Sequence, residues 1–120
     1  MHRLVDEWRT GTNRFDQPGE ILLGAFTDGR LLGIGGLNRD PYASDARTGR
    51  VRHVYVVPQA RRSGVGQVLV ERIVAEAFRS FERVRLRTMT AEGAAFYAAL
   101  GFVETDEPDA THRLPARTAG

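Results

Sequence analysis

Apolar positions along the chain follow two periods. Around residues 67–79 they recur at three and four: Val65, Leu69, Ile73 and Ala77 form one stripe, and Val70, Val74 and Phe78 a neighbouring one. Glu71, Glu76 and Arg79 fall elsewhere, so the spacing predicts an amphipathic helix packed on a sheet. Other apolar runs are short and strand-like. Ile21–Phe26 and Leu31–Leu37 flank Asp28-Gly29, a two-residue hairpin signal. Val51–Val57 is β-branched and aromatic and stops at Pro58. Val84–Met89 alternates, Ala91–Leu100 reads as a short alanine-rich helix with Gly101 at its C′ position, and Phe102–Glu104 and Thr111–Leu114 read as two final short strands. Near the start, Leu4, Val5 and Trp8 have helical spacing, which predicts a short helix over 3–8 fading into Gly11-Thr12-Asn13. Residues 38–49 are polar and turn-rich, a loop, and the tail after Pro115 is expected to fray.

This order predicts a single α+β (mixed α/β) domain over 1–120. Strand 51–57, helix 66–79 and strand 84–89 make a βαβ unit, so those two strands should run parallel with a right-handed crossover.

Composition narrows the class. The chain has 120 residues, 42% apolar and 27% charged, the balance of one soluble domain. No apolar run reaches the ~18 residues of a membrane span. Asp6 and Glu7 sit where a signal peptide would be apolar. There is no cysteine, hence no disulfide framework, thiolate zinc site or cysteine nucleophile, and a cytoplasmic location is expected. The pI of 9.7 accompanies a net charge of only +2, because all 17 basic residues are arginine and little titrates near neutrality. The pI is therefore weak support for a polyanion partner. Arg83, Arg85 and Arg87 alternate like a solvated strand face, and neither nucleic acid nor membrane is expected as a partner.

The most informative segment is Gln59-Ala60-Arg61-Arg62-Ser63-Gly64-Val65-Gly66, a basic, glycine-bearing loop between a strand and a helix. A helix N-terminus offers unpaired N–H groups and partial positive charge. Gly64 and Gly66 permit close backbone approach, and arginine donors suit phosphate oxygens. Together these features form an anion site suited to a pyrophosphate. It is not a P-loop, because there is no lysine, and the dinucleotide fingerprint lacks its third glycine, where Leu69 stands. A tight loop with solvated arginines is the plainer alternative.

The run from Val54 to Leu69, with Arg61-x-x-Gly64-x-Gly66, resembles the acetyl-CoA segment of the GNAT N-acetyltransferase superfamily. Ala95-Phe96-Tyr97-Ala98-Ala99-Leu100-Gly101-Phe102 resembles that family's Phe-Tyr-x-x-Leu-Gly-Phe segment, in the right order downstream. The resemblance implies a mostly antiparallel mixed sheet with one parallel pair, and transfer of acetyl from acetyl-CoA, with no metal, to a primary amine. It implies that Val56 and Val57 offer main-chain groups to pantetheine and that Arg61, Arg62, Ser63, Gly64, Val65 and Gly66 wrap the pyrophosphate. It further implies that Tyr97 is the general acid for the departing thiolate. Thr90 stands where many members have a CoA-contacting asparagine. Arg50 stands where many carry a glutamate base, which leaves His53 and His112 as weak base candidates; a low-activity or non-catalytic acyl-CoA-binding module is the alternative. The acceptor would be met near Trp8 to Phe15 and around Arg39 to Asp45. Only about eighteen residues precede the first hairpin, so the family's opening strand is expected to be missing or the start codon misplaced. Strand 20–27 would then be an apolar sheet edge, covered by a second chain in a homodimer.

Overall fold

The computed structural model describes the backbone of residues 4–8 and residues 19–115. Its strands are β1 (Leu4–Trp8), β2 (Ile21–Thr27), β3 (Arg30–Arg39), β4 (Thr48–Val56), β5 (Arg83–Leu86), β6 (Val103–Glu104) and β7 (His112–Arg113); its helices are α1 (Val65–Ser80) and α2 (Ala91–Ala99). They build one sheet in the order β1-β2-β3-β4-β5-β7-β6. Every pairing is antiparallel except β4 with β5, the two strands that α1 joins. This is the mixed sheet with a single parallel βαβ pair that the chain's patterning predicts.

The N-terminal segment departs from its pattern. Residues 4–8 form a strand rather than a helix, pairing from Leu4↔Phe26 to Trp8↔Leu22. Three apolar residues in so short a span fit either period, and an isolated turn of helix has little stability of its own, whereas a strand there gains a ladder along β2. The opening strand is therefore present, and β2 is covered within the chain. This removes the reason for placing a second chain on that edge. Gly11-Thr12-Asn13, Phe15 and the tail after Pro115 lie outside the described residues.

The core lies between the sheet and α1. Val65, Leu69, Ile73 and Ala77 are fully buried and pack on Ile21, Leu23 and Ala25 of β2, Leu37 of β3, Val51 of β4, and Val84 and Leu86 of β5. The helix sits close because β3 is glycine-rich: a Cβ at Gly35 would lie 2.7 Å from Ile73 Cδ1. No described helix is long and apolar enough to cross a membrane.

β4 carries a bulge. Its register with β3 passes from Arg52↔Gly36 to Tyr55↔Ile34, so His53 and Val54 together face Gly35. His53 takes the left-handed conformation, φ 59°. The extra residue resets the alternation. Gly49 faces Phe81 and Leu37 before the bulge, and Val54 and Val56 face the α1 side of β3 after it. Simple alternation would put Arg52 on the same face as Val54 and Val56; the bulge separates them.

Arg50 and Arg85, paired across β4 and β5, occupy the face away from α1 and are both buried. Asp40, almost fully buried, accepts from Arg85 Nε and from Arg50 Nη1 at 3.4 Å. Arg85 also donates to Glu107 and to the Pro108 carbonyl, both at 3.3 Å, and Arg83 bonds Asp45 at 2.8 Å. The alternating arginines are thus not all a solvated face. Loop 40–47, whose start turns back where the Asp40 N–H donates to Thr48 O, carries the carboxylates that tie down Arg83 and Arg85.

Candidate active site

β4 and β5 pair only through Thr48↔Arg83, Gly49↔Val84 and Arg50↔Arg85. Beyond Arg50 the strands part. β4 bends at the His53 bulge, and β5 ends at Leu86, three residues before its alternation does. The Thr88 N–H leaves the ladder and donates to Thr111 Oγ1 at 3.0 Å. The fork opens a cleft of about 770 Å³ lined by Val54, Val56, Arg61, Arg62, Thr90 and Tyr97, among others.

One wall is the edge of β4. The Val57 N–H donates to Leu32 O at 2.9 Å, so it is spent on β3. Hydrogen-bonding direction alternates along a strand, and Val56 therefore turns its N–H and C=O toward the fork. Its carbonyl accepts from Arg61 Nε at 3.1 Å. Of the two valines expected to offer main-chain groups, Val56 has its groups on the open edge and Val57 does not.

The floor is the loop into α1. A 3-10 turn at Pro58–Ala60 leads to Arg62 and Gly64, both left-handed (φ 68° and 88°), and α1 starts at Val65. No side chain caps α1 and no acidic residue lies in its first turn, so its N–H groups stay open to an anion. Val65 is buried and anchors the turn, and Ser63 Oγ donates back to Ala60 O. Neither side chain lines the cleft. A Cβ at Gly66 would lie 3.2 Å from the Phe96 ring, so this glycine lets α2 close on α1. Arg61 lies over the exposed Tyr55 ring at 5.8 Å.

The far wall is α2. Thr90 is its N-cap, Oγ1 accepting from Gly93 N at 3.0 Å; its hydroxyl proton remains free to donate. The Tyr97 ring meets Phe96 and Phe102 edge-on, at 5.0 and 5.5 Å between centroids. Burial pushes its phenol up to about 12, so it holds its proton across the whole physiological range.

The two histidines stand apart from this assembly. His53 is largely exposed on the bulge; the partial desolvation its ring still meets, and then the Arg52 charge, hold it below the usual imidazole value. His112 is buried on β7 opposite Leu86, with Nδ1 2.9 Å from Thr111 Oγ1. Neither lines the cleft. Conversely, Gln67, Thr88, Glu92 and Gly93 line it without having been singled out in the sequence. A parallel βαβ unit brings both strand C-termini and the following helix starts to one end of the sheet, and that topology is the signal for them.

The chain matches the Acetyltransferase (GNAT) family over residues 2–102, and it belongs to that family. It is 41% identical over 58 residues to an aminoglycoside N(6')-acetyltransferase type 1 of Klebsiella aerogenes, a match covering 46% of this chain and 38% of that protein. A crystal structure from Exiguobacterium sp. 255-15, classed as an acetyltransferase, superposes with a TM-score of 0.83 at 27% identity, covering 95% of this chain and 93% of that one. A Bacillus anthracis str. Ames protein classed as a streptothricin acetyltransferase, solved with acetyl coenzyme A, gives a TM-score of 0.69 at 19% identity, covering 81% of this chain and 55% of that one.

Proposed function

We propose that the chain is an N-acetyltransferase that moves the acetyl group of acetyl-CoA to a primary amine by direct attack. The observation that carries this reading is the fork. One cleft brings together an open strand edge at Val56, an uncapped basic helix start and a half-buried, protonated phenol. The helix start and Arg61, Arg62, Gly64 and Gly66 suit a pyrophosphate. The Val56 N–H suits the thioester carbonyl and the oxyanion that forms when nitrogen attacks it. As the C–N bond forms and the C–S bond breaks, the sulfur gains a proton and the amine loses one. The Tyr97 phenol supplies the donor on the sulfur side. With the phenol near 12 and an ordinary thiol near 8.5, complete transfer in isolation is uphill by about 5 kcal/mol. The phenol's contribution therefore begins as a hydrogen bond to the departing sulfur.

A non-catalytic acyl-CoA-binding module is the second reading, favoured by the arginine at position 50 and by the absence of histidine from the cleft lining. Incubation with acetyl-CoA and a panel of primary amines separates the two. Stoichiometric release of free thiol with formation of acetylated amine supports transfer. Tight acetyl-CoA binding with no acetylated product on any amine would leave the binding module.

A further inference from the structure

Arg50 and Asn38 form a second polar site, next to the fork but outside the cleft described above. They are direct cross-strand partners, Asn38 on β3 and Arg50 on β4, so their side chains share the face away from α1. Both are buried, at 9% and 7% exposure. Among the described residues Arg50 has two contacts: Asp40 Oδ2 at 3.4 Å through Nη1, and the Tyr42 ring, 4.9 Å from its guanidinium carbon. A guanidinium has five N–H donors in a planar fork, so most of them are unmatched. The Asn38 side-chain amide has no hydrogen-bond partner among the described residues. Asp40 does not discharge the site, because its short bond goes to Arg85 and the 3.4 Å contact to Arg50 is long. Across the cluster, the guanidiniums of Arg50, Arg85 and Arg113 face the carboxylates of Asp40 and Glu107; Arg52, half-buried on the same face as Arg50, adds a further positive charge, and the buried Glu20 carboxylate, which accepts from the Arg39 N–H beside Asn38, adds a negative one.

Buried donors without acceptors are costly, and a surplus positive charge among them costs more. Both costs are relieved by one ligand chemistry, a carboxylate: it accepts two parallel bonds from a guanidinium and a third from an amide. Arg50 also forms the last rung before β4 and β5 part. At about 3.3 Å per rung, with the bulge counted as one, it stands roughly 10 Å along β4 from Val54 and roughly 17 Å from Val56. An extended acceptor bound here by its carboxylate would present a distant amine to the fork.

We infer that Asn38 and Arg50 form a carboxylate-binding subsite, so that the acceptor is an amine that also carries a carboxylate. The exposed Tyr42 ring covers this subsite. The inference rests on the acetyltransferase reading for its role, but not for its test. Two series of probes are used with the intact protein. One holds glycine, 4-aminobutyrate and 6-aminohexanoate, with glycylglycine to represent a peptide terminus. The other holds alkylamines of matching length and a polycationic aminoglycoside. At least one amino acid or peptide is expected to exceed its matching alkylamine in kcat/KM by tenfold or more. Arg50→Gln is expected to bring that ratio close to one, and Arg50→Lys, which keeps the charge but loses the planar fork, to leave an intermediate ratio. Whether glycylglycine or a free amino acid leads distinguishes the two sources. Independently of turnover, 6-aminohexanoate should raise the Tm of the wild-type protein more than hexylamine does. Equal kcat/KM and equal Tm shifts for the paired probes would overturn the subsite even if amines are acetylated. A carboxylate-dependent Tm shift with no acetylation would keep the subsite and remove the transfer reading. A preference unchanged in folded Arg50→Gln would move recognition elsewhere and sink the assignment.

Discussion

The two halves of β4 differ in almost every physical respect. From Thr48 to Arg50 the strand is hydrogen-bonded on both sides, buried, and held by a carboxylate shared between arginines. From Val54 to Val56 it keeps β3 and loses β5, and its second edge faces a cleft. The two halves also differ in sequence, Thr-Gly-Arg against Val-Tyr-Val, but the larger change is the partner. A strand edge with unspent N–H and C=O groups is ordinarily a liability. Here the closed half fixes where the edge begins, and the bulge turns Val54 and Val56 so that their side chains pack on the α1 side while the Val56 N–H faces the cleft and its carbonyl holds Arg61.

The largest expected effect breaks the closed half. Asp40→Ala leaves the buried Arg50 guanidinium without a carboxylate and the buried Arg85 guanidinium with only Glu107 and the Pro108 carbonyl. The loss should be about 3–5 kcal/mol, the usual result of removing one partner of a buried ion pair. Chemical denaturation reads it directly. A loss below about 1 kcal/mol would mean that the carboxylate is not what holds the two arginines in place, and the contrast between the halves of β4 would lose its physical basis.

Next in size is a change confined to the open half. Tyr97→Phe should retain acetyl-CoA binding and lower turnover ten- to a hundredfold, the common range for a lost proton donor. A variant with wild-type kcat would remove Tyr97 from the chemistry. The same residue gives a pH signature. Its folded value near 12 lies above the ordinary 10, so the folded chain holds the proton more tightly than the unfolded chain does. Stability should fall as pH rises from about 10 to 12, and less steeply in Tyr97→Phe. Urea midpoints at pH 9 and pH 11.5 in both proteins make the comparison. An intermediate effect is expected at the cleft floor. Replacing Arg61 and Arg62 together by alanine should raise the KM for acetyl-CoA several-fold, with a weaker salt dependence than wild type, because both arginines are exposed and their interactions are screened.

Most of the fold could be read from the chain because its long elements are strongly periodic. The α1 stripe of Val65, Leu69, Ile73 and Ala77 is buried, with Val70 beside it, and the Asp28-Gly29 turn joins β2 to β3. Residues 4–8 could not, since five residues hold too few apolar positions to separate two periods. The cleft was legible through Arg61, Gly64, Gly66 and Tyr97, which belong to contiguous motifs. The Asn38–Arg50–Asp40 cluster was not, because its members come from two strands and a loop and meet only through register. Nor was the bulge. A histidine in a β-branched run reads as an ordinary strand residue, and simple alternation then assigns Arg52 and Val54 to one face.

That bulge supplies the smallest and most specific test. His53 at φ 59° occupies a conformation that costs a non-glycine residue about 1 kcal/mol or somewhat more, and a β-branched residue more still. Glycine removes this cost but adds roughly 0.5–1 kcal/mol of unfolded-chain entropy, so His53→Gly alone should change stability little. Valine goes the other way. It resists the left-handed region and favours a regular ladder, in which Val54 and Val56 would turn to the opposite face and leave the α1 core. Both substitutions delete the same imidazole, so whatever the ring contributes cancels between them. The difference in Tm between His53→Gly and His53→Val therefore isolates the backbone. We expect glycine to be the more stable by about 1–2 kcal/mol and to keep acetyl-CoA binding, with valine weakened in both. Equal stabilities would show that the bulge is imposed by α1 packing on Gly33 and Gly35 rather than held at His53. The fork would then be a property of the helix contact, and the difference between the two halves of β4 would originate outside the strand.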